Sequence, residues 1–312
     1  MAERLELQVR AKDVVSDGVV AVTLAHPDGV RLPDWTPGAH IDVVLANGLS
    51  RQYSLCGDRW DAHHYRIGVL REPSGSGGSA YVHDHLAVGD RVAIGGPRNN
   101  FPMVPARRYL FIAGGIGITP MLPMVRQAVL VGADWHLLYG GRTRASMAFT
   151  GELACHGDRV TVVPQDERGL LDLAAWLPEP AADVKVYCCG PAPLLAAVEA
   201  RCADWPPGLL RTERFVPAVL PEPVRNEPFD VELRRSGRCV TVARGQSVLD
   251  AVRSAGVPVL SSCRTGTCGT CETAVLAGAP DHRDSITDDR GRGDRMFPCV
   301  SRSLTDRLVL DL

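Results

Sequence analysis

The chain is nearly devoid of lysine. Of its 34 basic residues only Lys12 and Lys185 are lysines, a bias from which no function is read. It also lacks a net charge of one sign, since 34 basic and 36 acidic residues leave only −2. Without a strong field, neither nucleic acid nor an anionic membrane surface is the expected partner. No apolar run approaches the roughly 18 residues that a membrane helix needs. The opening residues, MAERLELQVR, contain no apolar signal core. No internal repeat is present. The expectation is a cytoplasmic protein. Its 312 residues, 45% hydrophobic and 22% charged, are enough for two or three ordinary domains.

Cysteine, by contrast, is plentiful: there are ten. In a reducing compartment cysteines serve metals or chemistry more often than disulfides. Three stand in "SSCRTGTCGTCETAV" as Cys263, Cys268 and Cys271, and Cys299 follows after 27 residues. A disulfide knot and a structural zinc site are the alternatives, but zinc sites usually pair two C-x2-C units and a second is missing. The spacing C-x4-C-x2-C…C is that of a plant-type 2Fe–2S ferredoxin. Gly266 and Gly269 would let the backbone wrap closely around a cluster and turn amides toward its sulfurs. Ser261 and Ser262 are further donors.

The surroundings fit a small β-grasp domain. "FDVELRRSGRCVTVARGQ" reads as two alternating strands around a turn at Ser236 and Gly237. "SVLDAVRSAGV" reads as a helix capped by Ser247, and "DRLVLDL" as a last strand. Cys239, in a strand outside the motif, is expected in the core, and His282 is expected to be structural.

Upstream, "RRYLFIAGGIGITPMLPMVRQAVLVG" begins as a buried strand (Tyr109 to Ala113). It passes through Gly114, Gly115 and Gly117 into a helix near Thr119, with Pro120 at its first position. Glycine-rich turns ahead of helices bind phosphates, although a turn that merely needs glycine is the plainer explanation, and Pro120 stands where a dinucleotide fingerprint has its third glycine. Strands and helices then alternate: "WHLLYGGR", the helix "ASMAFTGELACHG", "RVTVVPQ", the helix "LLDLAAWL", "VKVYCCGP" and the helix "APLLAAVEARC". This is a doubly wound α/β pattern. Its ligand belongs at the carboxyl ends of the strands, where Gly117, Tyr139 to Arg142, Cys189 and Gly190 fall. Cys188 reads as a buried thiol and Cys189 as a site residue.

The first third reads as antiparallel β, with alternation in "HIDVVLANG" and "HYRIGVLRE". "RQYSLCG" groups a guanidinium, a phenol and a hydroxyl on one strand. "SGSGGSAYVHDHL" reads either as a linker or as an anion loop ahead of a short helix at Ala80 to Leu86. "VPAVLPEPVRNEP" is a semi-rigid, proline-rich linker.

Several motifs occur in a fixed order: Arg51-Gln52-Tyr53-Ser54-Leu55, Gly77-Gly78-Ser79, Pro97-Arg98-Asn99-Asn100-Phe101-Pro102, Gly114-Gly115-Ile116-Gly117-Ile118-Thr119-Pro120, Cys189-Gly190-Pro191, Glu213-Arg214-Phe215 and the cysteine set. By this ordered set the whole chain resembles the phthalate dioxygenase reductase family of the ferredoxin–NADP reductase superfamily. The resemblance implies a multidomain chain: an antiparallel β-barrel flavin domain at 1–104, a doubly wound α/β nucleotide domain at 105–224 and a C-terminal β-grasp plant-type ferredoxin domain at 225–312. It implies FMN, NADH or NADPH, and a 2Fe–2S cluster on Cys263, Cys268, Cys271 and Cys299.

Residue by residue, the resemblance assigns Arg51, Gly78 and Ser79 to the FMN phosphate, with Gln52 on the same cofactor-binding strand. Tyr53 would lie along the flavin ring, Ser54 near its N5, and Phe215 on its other face. Gly115, Gly117, Thr119, Arg142 and Gly190 would border the pyridine nucleotide, and Cys189 would sit near the hydride-bearing carbon. Ser54 and Cys189 are the candidate catalytic residues. Arg142 and Arg144 read either as a 2′-phosphate site, which would favour NADPH, or as surface arginines; the resemblance leans toward NADH.

The expected role follows from electron counting. NAD(P)H gives up two electrons together, an iron–sulfur cluster accepts one, and a flavin converts between them. No general acid or base is needed and none is assigned. The resemblance implies a terminal oxygenase as partner, most often a Rieske non-haem iron enzyme acting on an aromatic compound, with a haem-thiolate monooxygenase as the alternative. The mixed charges of Asp288, Asp289, Arg290, Arg292, Asp294 and Arg295 do not require a strongly acidic docking face. A non-enzymatic redox sensor is a third reading, against which the complete flavin and nucleotide motifs speak. No stretch is left over for a substrate-oxidising domain.

Overall fold

The computed structural model describes residues 5–73, 75, 77–215, 222–261, 263–286 and 294–312. Ser262, Asp288, Asp289, Arg290, Arg292 and the linker segment 216–221 therefore lie outside the described residues. The chain divides between Glu213 and Arg214 into two compact units.

The first unit opens with six strands: β1 (Leu5–Ser16), β2 (Val19–Ala25), β3 (His40–Val44), β4 (Ser50–Ser54), β5 (His64–Leu70) and β6 (Arg91–Arg98), with helix α1 (Gly78–Asp84) between the last two. They form an antiparallel sheet in the order β4-β3-β6-β1-β2-β5. A bridge between Leu55 and Ile67 joins its two outer strands, so the sheet curls into a barrel. Alternate residues fill the interior, among them Leu7, Val9, Val20, Val22, Ile41, Val43, Ile67 and Val69.

The same unit continues as β7 (Arg108–Gly114), α2 (Ile118–Leu130), β8 (Asp134–Gly141), α3 (Thr150–Leu153), β9 (Val160–Pro164), α4 (Gln165–Arg168), α5 (Leu173–Trp176), β10 (Val184–Cys189), α6 (Ala192–Arg201) and β11 (Leu210–Glu213). All four strand pairs are parallel, in the order β11-β10-β7-β8-β9. Both faces of a parallel sheet must be covered, which explains the unbroken apolar run of β7. Phe111 and Ala113 face the cluster that holds Met121 and Val125 of α2. Leu110 and Ile112 face the opposite cluster, with Leu173 of α5 and Leu195 and Val198 of α6. The α2-side cluster also takes in Val19, Ala21 and Cys56 of the barrel, so barrel and α/β part share apolar packing.

Two local expectations fail here. The helix expected over 145–157 is broken: Met147 is extended and Phe149 is left-handed at φ 63°, which leaves only the single turn of α3 and short 3-10 segments. Met147, Ala148 and Phe149 are all buried, so tertiary packing overrides the helical propensity of the segment. Pro120 is the third residue of α2 rather than the first, still within the turn whose amides have no intrahelical acceptor.

The second unit is a five-stranded sheet, order β13-β12-β18-β14-β16, plus a two-stranded pair β15-β17. Its elements are β12 (Phe229–Leu233), β13 (Arg238–Val242), α7 (Val248–Ser254), β14 (Thr273–Ala277), β15 (Pro280–Asp281), β16 (Arg295–Met296), β17 (Arg302–Ser303) and β18 (Arg307–Leu310). Ser247 caps α7 by accepting from the Asp250 amide, and Val248, Leu249 and Val252 pack on Val231, Leu233 and Leu308. This is the β-grasp arrangement. Cys239 is not in its core: β13 is the outer strand, and Cys239 lies on its solvated face. Among the described residues no helix is long and apolar enough to cross a membrane.

Candidate redox sites

Strand β4 carries four of the expected site residues, and the two-residue period sorts them onto two faces. Arg51 and Tyr53 share one face. Gln52 and Ser54 share the other.

On the first face, Arg51 lies across the start of α1. A Cβ on Gly78 would come within 2.6 Å of Arg51 Cγ and Nε, so only glycine lets the guanidinium stem pass there. The N-cap residue Gly77 is left-handed at φ 85°, which turns the chain into α1 beside that arginine. Ser79 Oγ accepts from the Glu72 amide at 3.0 Å and keeps its own hydrogen to donate. The Tyr53 hydroxyl is buried with no hydrogen-bond partner among the described residues. Burial pushes its pKa up to about 12, against the pull of Arg51, so the phenol is neutral. A buried polar atom left unpaired is costly, and here it marks a place where a further group belongs. Cationic fork, glycine turn and orphaned phenol together fit a phosphate-bearing aromatic cofactor such as FMN.

On the second face, Gln52 Nε2 donates to Asp42 Oδ1 at 2.9 Å, and Arg98 pairs with the other Asp42 oxygen at 2.5 Å. The Gln52 amide nitrogen is thus committed to the barrel wall. Ser54 is buried and donates to the carboxylate of Glu213, the last residue of β11. Sequence reasoning placed Glu213 in a motif but gave it no role. Its residue surface is partly open, yet Oε2 is sealed off and unpaired. Burial raises its carboxyl to about 8, with the Ser54 hydrogen bond pulling the other way. Cys189 stands opposite Glu213 in the β10–β11 ladder. Its thiol is fully buried and held well above the usual range by desolvation, Glu213 and Cys188, so it is a neutral thiol and not a thiolate nucleophile.

At the neighbouring strand ends the glycines have different reasons. A Cβ on Gly117 would stand 2.2 Å from the Cys189 carbonyl oxygen, so the turn after β7 packs directly on the end of β10. Gly190 meets Gly114 in the same way, its Cβ position 3.0 Å from Gly114 Cα. Gly115 is glycine for its φ of 54°, with open space around it. Thr119 is buried and donates to the Ile116 carbonyl at 2.9 Å. Arg142 is exposed just beyond β8. Phe215, exposed, follows β11 by two residues and falls within the second unit.

In the second unit the four motif cysteines are unbridged and sort into two hydrogen-bonded pairs, Cys263 with Cys268 and Cys271 with Cys299. Among the described residues no three ligating side chains converge on one point, as a single metal ion would need. Two pairs are instead what a two-iron cluster needs, two sulfurs to each iron. Amides surround the sulfurs: Thr265 donates to Cys263 and Thr270 to Cys268, each at 3.3 Å, and the Gly266 amide reaches Cys299. Gly266 and Gly269 are left-handed at φ 72° and 70°. A Cβ on Gly266 would meet Val300 Cγ2 at 2.7 Å, so a larger residue could not hold the loop in place. The donor set therefore fits a 2Fe–2S cluster.

Comparison with known proteins identifies a cluster domain and a nucleotide domain in this chain. Residues 231–303 match the model of the 2Fe-2S iron-sulfur cluster binding domain, and residues 111–200 that of the oxidoreductase NAD-binding domain. The phenoxybenzoate dioxygenase subunit beta of Ectopseudomonas oleovorans is 43% identical, with 99% of this chain and 97% of the relative covered. The solved structure of phthalate dioxygenase reductase, described as a modular structure for electron transfer from pyridine nucleotides to [2Fe-2S], matches with a TM-score of 0.71 and 36% identity over 99% of this chain and 98% of its own. The chain belongs to the phthalate dioxygenase reductase family.

An intact type IV self-sufficient cytochrome P450 monooxygenase matches more tightly in fold, with a TM-score of 0.93 and 41% identity over 99% of this chain, but this chain spans only 41% of that longer protein. Like other reductases of its family, the chain is a flavin and iron–sulfur oxidoreductase that uses a pyridine nucleotide. Its α/β sheet has the doubly wound order, with the switch point between β7 and β10, and Gly117, Cys189 and Gly190 lie there.

Proposed function

We propose that this chain is the reductase component of an oxygenase system. It would take electrons from NADH, or less readily NADPH, and deliver them through FMN and a 2Fe–2S cluster to a terminal oxygenase. When bound, the flavin supplies conversion of a two-electron hydride into single electrons, and the cluster supplies a one-electron relay. Arg51, Gly78 and Ser79 would hold the flavin phosphate, Tyr53 would lie along its ring, and Phe215 would cover the other face. Ser54 would present its hydroxyl at the hydride-accepting edge. Gly115, Gly117, Thr119, Arg142, Cys189 and Gly190 would border the nucleotide, and Cys263, Cys268, Cys271 and Cys299 would bind the irons. The corresponding domains are 1–104, 105–224 and 225–312, in a cytoplasmic protein.

The observation that carries this reading is that Glu213, at the end of β11, stands beside Cys189 of β10 next to the switch point of the α/β sheet and is reached by Ser54 of the distant barrel strand β4. There the buried Cys189 thiol and the Ser54 hydroxyl line the strand end without adding a charge. Glu213, with its carboxyl near pH 8, can hold a proton at neutral pH. A Rieske-type oxygenase acting on an aromatic compound is the first choice of partner. The fold likeness to part of a P450 monooxygenase favours a haem-thiolate oxygenase as the second reading.

Anaerobic titration with NADH, and separately with NADPH, tests the electron path. Flavin bleaching followed by a rhombic 2Fe–2S signal in electron paramagnetic resonance is expected. Bleaching without that signal would reduce the protein to a flavin reductase, and no bleaching with either nucleotide would overturn the proposal.

A further inference from the structure

The loops after β8 and β9 lie side by side, because those strands are paired in parallel with Gly141 opposite Pro164. The Asp166 amide donates to the Arg142 carbonyl at 3.2 Å and ties the two loops together. From the first loop Arg144 reaches Glu167 in the second as a two-point fork, Nε to Oε1 at 3.1 Å and Nη2 to Oε2 at 2.6 Å. The turn that presents Arg144 is itself fixed by a capping box between Thr143 and Ser146. Both partners of the fork are exposed, and an ion pair this open to water adds little stability.

Its position suggests another use. In a doubly wound sheet of this order the pyrophosphate sits at the turn after the first strand, here Gly114–Gly117, and the adenosine ribose lies beyond it, toward the next strands. An acidic residue there accepts from the 2′-hydroxyl of NAD, whereas an arginine there accommodates the 2′-phosphate of NADP. The loops after β8 and β9 offer both. A guanidinium binds phosphate through the same two-point fork that it offers a carboxylate. In this chain Glu167 already fills that fork.

We propose that Glu167 is the residue that selects against the 2′-phosphate, by occupying Arg144 and placing a carboxylate where that phosphate would bind. The inference rests on the nucleotide-binding reading above and adds to it the residue that sets the choice. The charged groups of this rim are Arg142, Arg144 and Arg168 against Asp166 and Glu167. Removing the Glu167 charge therefore both frees one fork and leaves the rim more positive. NADH, with a neutral 2′-hydroxyl, needs no displacement of the pair; NADPH must break it.

The test is calorimetric binding of two fragments, 5′-AMP and 2′,5′-ADP, to the full-length holoprotein. The wild type is expected to favour 5′-AMP. In Glu167→Gln the ratio of 2′,5′-ADP to 5′-AMP affinity should rise by about tenfold, the size of one charge-assisted fork, and the gain should shrink with added salt. Arg144→Gln alone should leave the ratio near the wild-type value, and in the double variant the gain should vanish. A ratio unchanged in Glu167→Gln, with both fragments still binding, would overturn the role of Glu167. So would a gain that survives loss of Arg144. Failure of both fragments to bind the wild type would instead overturn the nucleotide site on which the inference rests.

Discussion

The two redox regions are built in opposite ways. The cluster loop takes three of its four cysteines from nine consecutive residues, 263–271, and its sulfurs are locally paired, amide to sulfur and thiol to thiol, although Thr270 Oγ1 is buried without a partner among the described residues. The flavin-side region draws Ser54, Cys189 and Glu213 from three strands and leaves polar atoms unpaired, the Tyr53 hydroxyl and Glu213 Oε2. A local site can satisfy its sulfurs through backbone geometry alone. A site assembled from distant strands can keep groups under tension, because the surrounding packing holds them in place.

The strongest test of this contrast is Cys271→Ser. It should abolish the 2Fe–2S resonance signal while NADH still bleaches the flavin, since the loop belongs to a separate compact unit. Loss of flavin bleaching as well would show that the two regions depend on each other for folding.

Glu213 gives the next largest effect. Its carboxyl is raised from 4.5 to about 8, so the folded state holds a proton that the unfolded state has lost. Stability is then fully present below about pH 4.5 and falls as pH rises toward 8, by at most about 1.4 kcal/mol per pH unit for one proton. Chemical unfolding of flavin-free protein across this window should show that slope, and Glu213→Gln should flatten it. An equal slope in both proteins would assign the pH dependence elsewhere.

Tyr53→Phe should have the smallest effect, with opposite signs in two assays. Removing an unpaired buried hydroxyl should stabilise the flavin-free protein by about 1 kcal/mol, read by denaturant unfolding. The same change should weaken flavin retention, read by the dissociation constant. Destabilisation of the flavin-free protein would mean that the hydroxyl is satisfied within the fold.

Local signals were legible wherever a site or element is local. The cysteine spacing, the Ser247 cap, the alternation of β12 and the unbroken apolar run of β7 each follow from neighbours in sequence and appear as expected. The misreadings came where distant packing decides. The segment 145–157 has helical propensity, yet burying Met147, Ala148 and Phe149 in one cluster bends it out of helix. Cys239 is expected in the core as a strand cysteine outside the motif, but it shares its face with Thr241, opposite Val240 and Val242, and the outer position of β13 leaves that face to solvent. Glu213 carried no local sign of its state, because the groups that seal and raise its carboxyl come from elsewhere in the fold.

The sequence by itself therefore determined the order of the domains, the family and the cluster ligand spacing, since each is written in motifs of a few consecutive residues with strict backbone needs. Only the tertiary structure decided that Ser54 donates to Glu213, that Cys189 is a buried neutral thiol and that Arg144 is held by Glu167. Those states depend on desolvation and on charges brought within hydrogen-bond reach from other strands and loops, and neither quantity exists until the chain has folded.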